Sequence, residues 1–138
     1  MRKVVRQAAA VAAFATGVIV ALGPSAPVLA QGAWEAPTME KAKKNPLPAN
    51  AATVAQGKKV AEVNCVSCHG AKGKGDGAAA VALNPKPADW TSKRVQAMSD
   101  GEIFWKLSTG RGAMPSWKFL PENDRWAVVR YIRSLGGK

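Results

Sequence analysis

The 138-residue chain carries 20 lysine and arginine residues against 9 aspartate and glutamate residues, a formal net charge of +11. Such a basic surface favours acidic protein partners or an anionic membrane surface. The lysines are dispersed and no nucleic-acid-binding motif is present, so we expect no nucleic-acid partner. The chain has one histidine and two cysteines, which is too few for a closed tetrahedral zinc site.

Residues 1–30 have the features of a secretory signal peptide. Three basic residues precede an uncharged run of about 15 residues, Ala8–Leu22, and the small-residue site Val28-Leu29-Ala30 follows. The uncharged run is shorter than the roughly 20 residues that cross a bilayer. We therefore predict periplasmic export with cleavage after Ala30, and an uncleaved membrane anchor is the alternative. The mature chain keeps 17 basic and 9 acidic side chains, a net charge of +8.

Residues 31–50 are predicted to form an irregular N-terminal arm, because prolines at 37, 46 and 48 prevent a long helix. The folded domain is predicted over residues 51–138. Its first helix is predicted from Ala52 to Asn64, with Val54, Val60 and Val63 as its apolar points. Gly57 inside this helix costs about 1 kcal/mol relative to alanine. Its presence predicts a close crossing by another segment.

The segment Cys65-Val66-Ser67-Cys68-His69 contains both cysteines and the only histidine of the chain. The spacing C-x-x-C-H is the attachment signature of c-type haem. Two thiols three positions apart can each add to a vinyl group of one porphyrin, and the histidine that follows can bind the iron. A redox dithiol, half of a zinc site and a disulfide are the alternatives. Export favours haem attachment, which takes place outside the bacterial cytoplasm.

The rest of the chain predicts two further helices and no strand. Residues 70–77 include four glycines and predict a loop around the haem edge; a phosphate-binding loop would need a G-K-[ST] ending that is missing. Ser99-Asp100-Gly101-Glu102 is a capping box that opens a helix ending at Gly110. The last helix is predicted to begin at Pro121 and to bury Trp126, Val129, Ile132 and Leu135. The fold class is therefore predicted to be all-α.

A low-spin electron carrier needs a second axial ligand, and without another histidine the strongest candidate is a methionine. Met39 lies in the arm and Met98 lies just before the capped helix. Met114 lies in the Gly/Pro-containing loop 110–117, which can lay a thioether over the ring. We therefore predict Met114 as the second iron ligand, and we expect its thioether to favour ferrous iron.

These motifs resemble those of the class I monohaem cytochromes c, particularly the small bacterial periplasmic type. The resemblance covers about residues 50–137 and includes Gly57, the C-x-x-C-H segment, the capping box, Met114-Pro115-Ser116-Trp117 and the terminal helix. It implies a small cytochrome c fold with helices packed around one covalently attached haem c, and an electron carrier rather than an enzyme.

The resemblance also implies two packing details. The first and last helices are expected to cross with Tyr131 against Gly57. Family members often carry an aromatic residue where this chain has Ala61, which predicts a looser crossing. A proline carbonyl is expected to orient the His69 ring, with Pro85 as the candidate and Pro87 as the alternative.

Two other functions remain open at the level of sequence. A haem sensor or a peroxidase-like enzyme would need an open or exchangeable sixth site on the iron. A dedicated haem subunit of a larger oxidoreductase complex would need a permanent partner. For a free carrier, we expect redox partner proteins with acidic docking surfaces and a transient association with anionic membrane surfaces.

Overall fold

The structure, a computed structural model, describes residues 34–137. The predicted signal peptide and its cleavage site after Ala30 lie outside these residues. The helices are α1 (Thr38–Lys41), α2 (Ala51–Asn64), α3 (Val66–His69), α4 (Lys93–Gln96), α5 (Asp100–Thr109) and α6 (Glu122–Ser134), with a 3₁₀ helix at Ala78–Ala82. Within 34–137 there is no strand, which confirms the predicted all-α class. Across the same range, each helix is too short or too polar to traverse a lipid bilayer.

Helix α2 begins one residue earlier than predicted because Asn50 caps it. The Asn50 side chain accepts a hydrogen bond from the backbone N–H of Thr53 at 2.9 Å. This bond satisfies one of the backbone donors that a helix N-terminus leaves without a partner. The helix ends at Asn64, as predicted, directly before the first cysteine.

Helices α2 and α6 cross at their backbones. A Cβ atom added to Gly57 would lie 2.0 Å from the carbonyl oxygen of Ala127, so only glycine fits at this point. Ala61 and Ala127 are both fully buried, with 0 % exposure. The close crossing that Gly57 predicts is confirmed. The looser crossing expected from Ala61 is wrong, because small side chains let the two backbones approach closely.

Two other details of this crossing differ from expectation. The atoms nearest to a Cβ on Gly57 belong to Ala127 and Val128, whereas the resemblance placed Tyr131 there. The buried face of α2 is formed by Thr53, Gly57 and Ala61, which are spaced four residues apart. Val63, predicted as an apolar point, is 85 % exposed, because it lies off this four-residue stripe.

Helix α5 is delimited by the two signals found in the sequence. The Ser99 hydroxyl accepts a hydrogen bond from the Glu102 N–H at 3.1 Å, and Gly110 ends the helix with a φ of 64°. The Glu102 carboxylate binds Lys106 at 2.7 Å, so its partner is this ammonium group on the next turn. The predicted Ser99 cap is therefore present, but Glu102 binds Lys106 instead of completing the capping box.

Helix α6 forms the centre of the core. Its predicted stripe of Trp126, Val129 and Ile132 is buried, and Leu135 packs against the core at the helix end. Pro121 lies just outside the helix, at the N-cap, where the prediction made it the first helical residue. The difference of one residue leaves the same side of the helix facing inward.

The arm packs on α5 and α6. Asn45 donates its side-chain N–H to the Trp126 carbonyl at 3.0 Å, and Arg130 donates to the Leu47 carbonyl at 2.7 Å. A Cβ on Gly101 would lie 2.0 Å from the Glu40 carbonyl oxygen, so the short helix α1 lies directly against the first turn of α5.

Candidate functional site

The two cysteines and the histidine lie on one turn of helix at the end of α2. The backbone N–H groups of Cys68 and His69 both donate to the Cys65 carbonyl, at 3.2 and 2.9 Å. Residues three apart on a helix lie on the same side, so both thiols face the same region. Cys65 is buried and Cys68 is half-buried. This turn can present two thiols to one flat molecule.

The His69 ring is buried and held by a backbone carbonyl. Its Nδ1 lies 3.0 Å from the Ala88 oxygen, and because a carbonyl can only accept, Nδ1 carries the proton. Nε2 then keeps its electron pair for a metal. Burial lowers the pKa of His69, while the Ala88 bond acts in the opposite direction. The balance favours neutral imidazole, the form that binds metal ions.

The carbonyl that holds His69 is not that of a proline. Pro85 and Pro87 were the expected acceptors, and the structure corrects this to Ala88, the residue after Pro87. The two prolines indicate the part of the chain that lies near His69, but the sequence cannot say which carbonyl turns towards the ring. That direction depends on how this part of the chain packs against the attachment turn.

The chemistry of the two thiols disagrees with the alternative readings of C-x-x-C. Both cysteines are free thiols. Burial, and secondly the neighbouring Cys68, raise the pKa of Cys65 to about 11, whereas a catalytic dithiol needs a lowered thiol pKa. Among residues 34–137, no group of three or more His, Cys, Asp or Glu side chains is arranged to hold a metal ion. A redox dithiol, a disulfide and a zinc site therefore gain no support.

Met114 lies in a tight loop between α5 and α6. Its backbone exchanges two hydrogen bonds with Arg111, at 2.8 and 3.0 Å. The loop is tied back to α5 by a bond from the Trp117 N–H to the Leu107 carbonyl at 3.0 Å. The Met114 side chain is half-buried and packs against the main apolar cluster. Backbone bonds therefore define the path of this loop on both sides of the thioether.

The structure brings three of the four predicted site residues to one apolar cluster. Cys65 belongs to the cluster, and Met114 packs against it. The His69 ring stacks on Trp90, another member, with ring centroids 4.5 Å apart. Cys68 shares the turn with Cys65 and His69. Neither Trp90 nor Ala88 was singled out from the sequence, because stretch 84–90 has no helical or strand periodicity.

The two other methionines have different surroundings. Met39 lies in α1 and is 80 % exposed. Met98 packs against the cluster, and the Lys106 ammonium lies 3.5 Å from its sulfur. A lysine at this distance competes for the sulfur lone pair, so Met98 is a poorer candidate ligand than Met114.

The donors of this site fit haem c. Two thiols on one helical turn could form the two thioether bonds, the Nε2 atom of a neutral imidazole could bind the iron, and a thioether on a separate loop could supply a second iron ligand. Cys65, Cys68, His69 and Met114 could hold the group in this way. The Ala88 bond is the kind of outer contact that orients a metal-binding histidine.

Comparison with known proteins agrees with this chemistry. A family model described as cytochrome c oxidase, cbb3-type, subunit III matches residues 52–132, more than half of the chain. A solved chain of the Kuenenia stuttgartiensis reducing HAO-like protein complex matches with a TM-score of 0.56 and 29 % identity, over 65 % of this chain. The match spans 46 % of that longer chain. No curated protein matches the sequence.

Proposed function

We propose a function from one premise: this chain belongs to the family described as cytochrome c oxidase, cbb3-type, subunit III. A cytochrome c domain implies covalently bound haem c with iron and a role in haem-based electron transfer. We propose that this chain carries one electron at a time on a single haem c. Cys65 and Cys68 would form the thioether bonds, and His69 and Met114 would bind the iron.

The observation that carries the proposal is the hydrogen bond of His69. With Nδ1 donating to Ala88 at 3.0 Å, the lone pair on Nε2 is the one left to bind iron. A bound haem supplies the Fe(II)/Fe(III) couple. The bond to Ala88 fixes the direction in which Nδ1 points, and it raises the basicity of the ligand. A thioether from Met114 would favour the ferrous state and raise the reduction potential.

We propose a carrier rather than an enzyme. The only histidine is assigned to iron, so no histidine remains for general acid–base chemistry. With Met114 as the sixth ligand, a substrate would have to displace a protein ligand before it could reach the iron. A sensor or peroxidase-like role needs an open sixth position.

The predicted signal peptide and the basic charge support a proposal about location and partners. The sequence of residues 1–30 predicts a periplasmic protein, and six dispersed lysines are exposed: Lys58, Lys59, Lys72, Lys74, Lys86 and Lys118. Lys106 is different, because it is paired with Glu102 in a half-buried position. We propose that the exposed lysines steer encounters with acidic redox proteins and, transiently, with anionic membrane surfaces.

A second candidate is a haem subunit that stays bound to a larger oxidoreductase. The family description names an oxidase subunit, and the solved chain that matches is part of a complex. Native-size chromatography of the protein extracted from its native cells distinguishes the two. A free carrier elutes as a single small haem protein, while a subunit elutes at high mass together with oxidoreductase activity.

The central test replaces Met114 with alanine in the holoprotein. We expect haem to remain attached through Cys65, Cys68 and His69, since none of these bonds involves Met114. The weak far-red absorption band of methionine-bound ferric haem should disappear, carbon monoxide should bind the reduced protein, and the reduction potential should fall because the thioether no longer favours ferrous iron.

The matched control is Met98→Leu, a swap of similar volume that usually costs under about 1.5 kcal/mol. It should leave the far-red band unchanged. Loss of the band in Met98→Leu with an unchanged Met114→Ala spectrum would move the ligand assignment to Met98. Rapid carbon monoxide binding to the wild-type protein would instead favour the sensor.

A further inference from the structure

We infer that Trp90 is a positioning residue for the His69 imidazole, and that its indole face sets the direction in which the imidazole plane crosses the haem. This inference rests on the proposed role of His69 as an iron ligand. It assigns a function to a residue that is otherwise an ordinary member of the apolar core.

Two contacts act on the His69 ring in different ways. The bond from Nδ1 to the Ala88 oxygen fixes where one ring atom points, but the ring can still rock about that bond. The indole of Trp90 lies against the imidazole face, with centroids 4.5 Å apart and an interplanar angle of 23°. Rocking would drive the imidazole into the indole. The two contacts together define one plane for the ring.

Trp90 is itself held in place by several contacts, so its indole can limit the movement of the His69 ring. It is 5 % exposed, its backbone N–H donates to the Gly73 carbonyl at 2.7 Å, and its backbone carbonyl accepts from the Gln96 side chain at 2.7 Å. The Tyr131 ring meets it edge-on at 6.3 Å and 86°. A Cβ on Gly73 would lie 2.7 Å from the indole, so glycine lets the loop lie flat on the ring.

The same contacts connect the imidazole to the last helix. Gln96 also donates to the Ile132 carbonyl at 3.0 Å, and Tyr131 lies on α6 and donates its hydroxyl to the Ala71 carbonyl at 3.3 Å. Ala88 and Trp90 are two residues apart, so one short segment supplies both contacts on His69. The packing of α6 therefore determines the position of the surface against which the ligand is aligned.

The orientation of the ligand plane has an observable consequence. In low-spin ferric haem, the imidazole plane decides which iron d orbital interacts with the ligand, and hence how unpaired spin is distributed over the porphyrin. The four haem-methyl proton resonances report this distribution through their order and spread. A core residue that merely stabilises the fold has no reason to change that order.

Trp126 provides a matched control for core packing. It is 3 % exposed and, like Trp90, stacks on an aromatic ring, that of Phe104, at 3.8 Å and 12°. Its partner is a side chain of α5 with no predicted role at iron. Replacing Trp126 removes the same kind of side chain from the same core while leaving the His69 face covered.

The experiment compares ferric holoproteins by proton NMR. In Trp90→Leu, which removes the flat surface, we expect the order of the haem-methyl resonances to change. In Trp90→Phe, which keeps a smaller flat ring, the change should be partial. In Trp126→Leu, the protein should be destabilised while the order stays that of the wild type.

The inference is overturned if Trp90→Leu keeps the wild-type order, or if Trp126→Leu changes it in the same way. If Trp90→Leu does not mature, the inference is tested on the wild-type protein. Stacking of the two rings requires nuclear Overhauser effects between His69 ring and Trp90 indole protons. Their presence with a partial change in Trp90→Phe supports the inference, and their absence overturns it. A wild-type spectrum without histidine-bound haem c contradicts the proposed function instead, so the two failures are distinguishable.

Discussion

The crossing of α2 and α6 and the loop that carries Met114 are stabilised in different ways. At the crossing, Gly57, Ala61 and Ala127 bring two backbones into contact, and both alanines are completely buried. In the loop, the residues on either side of Met114 are exposed, and backbone hydrogen bonds determine its course. The crossing leaves no room for another atom, whereas the Met114 side chain in the loop is only half-buried.

The difference indicates that, within a small domain, the crossing stabilises the fold and the loop serves the candidate site. A chain of this size buries a limited core on its own, so we expect haem to supply a large part of the apolar contact next to Cys65, His69 and Met114. The crossing then provides a rigid frame that does not depend on the thioether. Changes at the crossing should affect the stability of the fold, and changes at the loop should affect the iron.

Removal of haem should have the largest effect. In Cys65→Ala/Cys68→Ala, no thioether can form, and we expect poor accumulation and loss of cooperative thermal unfolding, because the haem contacts of the core are lost. Each single variant should keep one thioether at most. Mass spectrometry of denatured protein measures the attached haem, and circular dichroism measures the unfolding.

Ser67→Ala is the matched control for the cysteine variants, since Ser67 lies on the same turn and is exposed. It should accumulate with haem attached. A double cysteine variant that unfolds as cooperatively as the wild type would show that the polypeptide core is sufficient by itself.

Gly57→Ala should have the next largest effect. The added methyl group would overlap the Ala127 carbonyl, and overpacking of this kind typically costs about 1–3 kcal/mol. Because the overlap is with helix backbone, we expect a loss in the upper part of this range, which exceeds the gain of about 1 kcal/mol expected from alanine in a helix. The midpoint of denaturant unfolding should fall, while the haem spectrum should stay unchanged.

Lys59→Ala, on the exposed side of α2, is the control for Gly57→Ala and should leave the midpoint nearly unchanged. An unchanged midpoint in Gly57→Ala would mean that the two helices can separate without cost. In that case, the crossing would not be the rigid frame described above.

Gly101→Ala tests a second place where two backbones lie in close contact. Its Cβ would overlap the Glu40 carbonyl of α1, yet α1 is a helix of four residues that can shift as a unit. We therefore expect a loss of about 1 kcal/mol, at the low end for overpacking. Denaturant unfolding measures it, and a loss larger than that of Gly57→Ala would show that the arm is held as rigidly as the crossing.

Ser99→Ala should have a stability effect as small as that of Gly101→Ala. The hydroxyl caps α5 through the Glu102 N–H, and loss of such a cap costs about 1 kcal/mol, within a range of roughly 0.5–2. Ser99 lies at the opposite end of α5 from the Met114 loop, so the far-red band should persist. Disappearance of the band would show that the two ends of α5 are coupled.

Much of the fold could be predicted from local signals. The cap at Ser99, the stop at Gly110 and the stripe on α6 act between residues close in sequence, so their spacing is enough to locate them. The face of α2 was harder to predict, because the polar Thr53 and the small Ala61 are buried, whereas the apolar Val63 is exposed. Which side of the helix is covered depends on tertiary packing.

By itself, the sequence determined the chemistry of the candidate site. Two cysteines and the only histidine lie within five consecutive residues. One helical turn therefore places them together whatever the rest of the chain does. Met114 could be named from its loop and from the shortage of other ligands. Its role, like those of Cys65, Cys68 and His69, stays a prediction until the spectra are measured.

Only the tertiary structure decided which distant groups complete the site. The acceptor for His69 is Ala88, the ring beside it is Trp90, and the residue facing Gly57 is Ala127. Each of these pairs joins segments 19 or more residues apart, and no local periodicity marks either partner. They are brought together by the burial of α6 against the rest of the chain, which depends on all the packed segments at once.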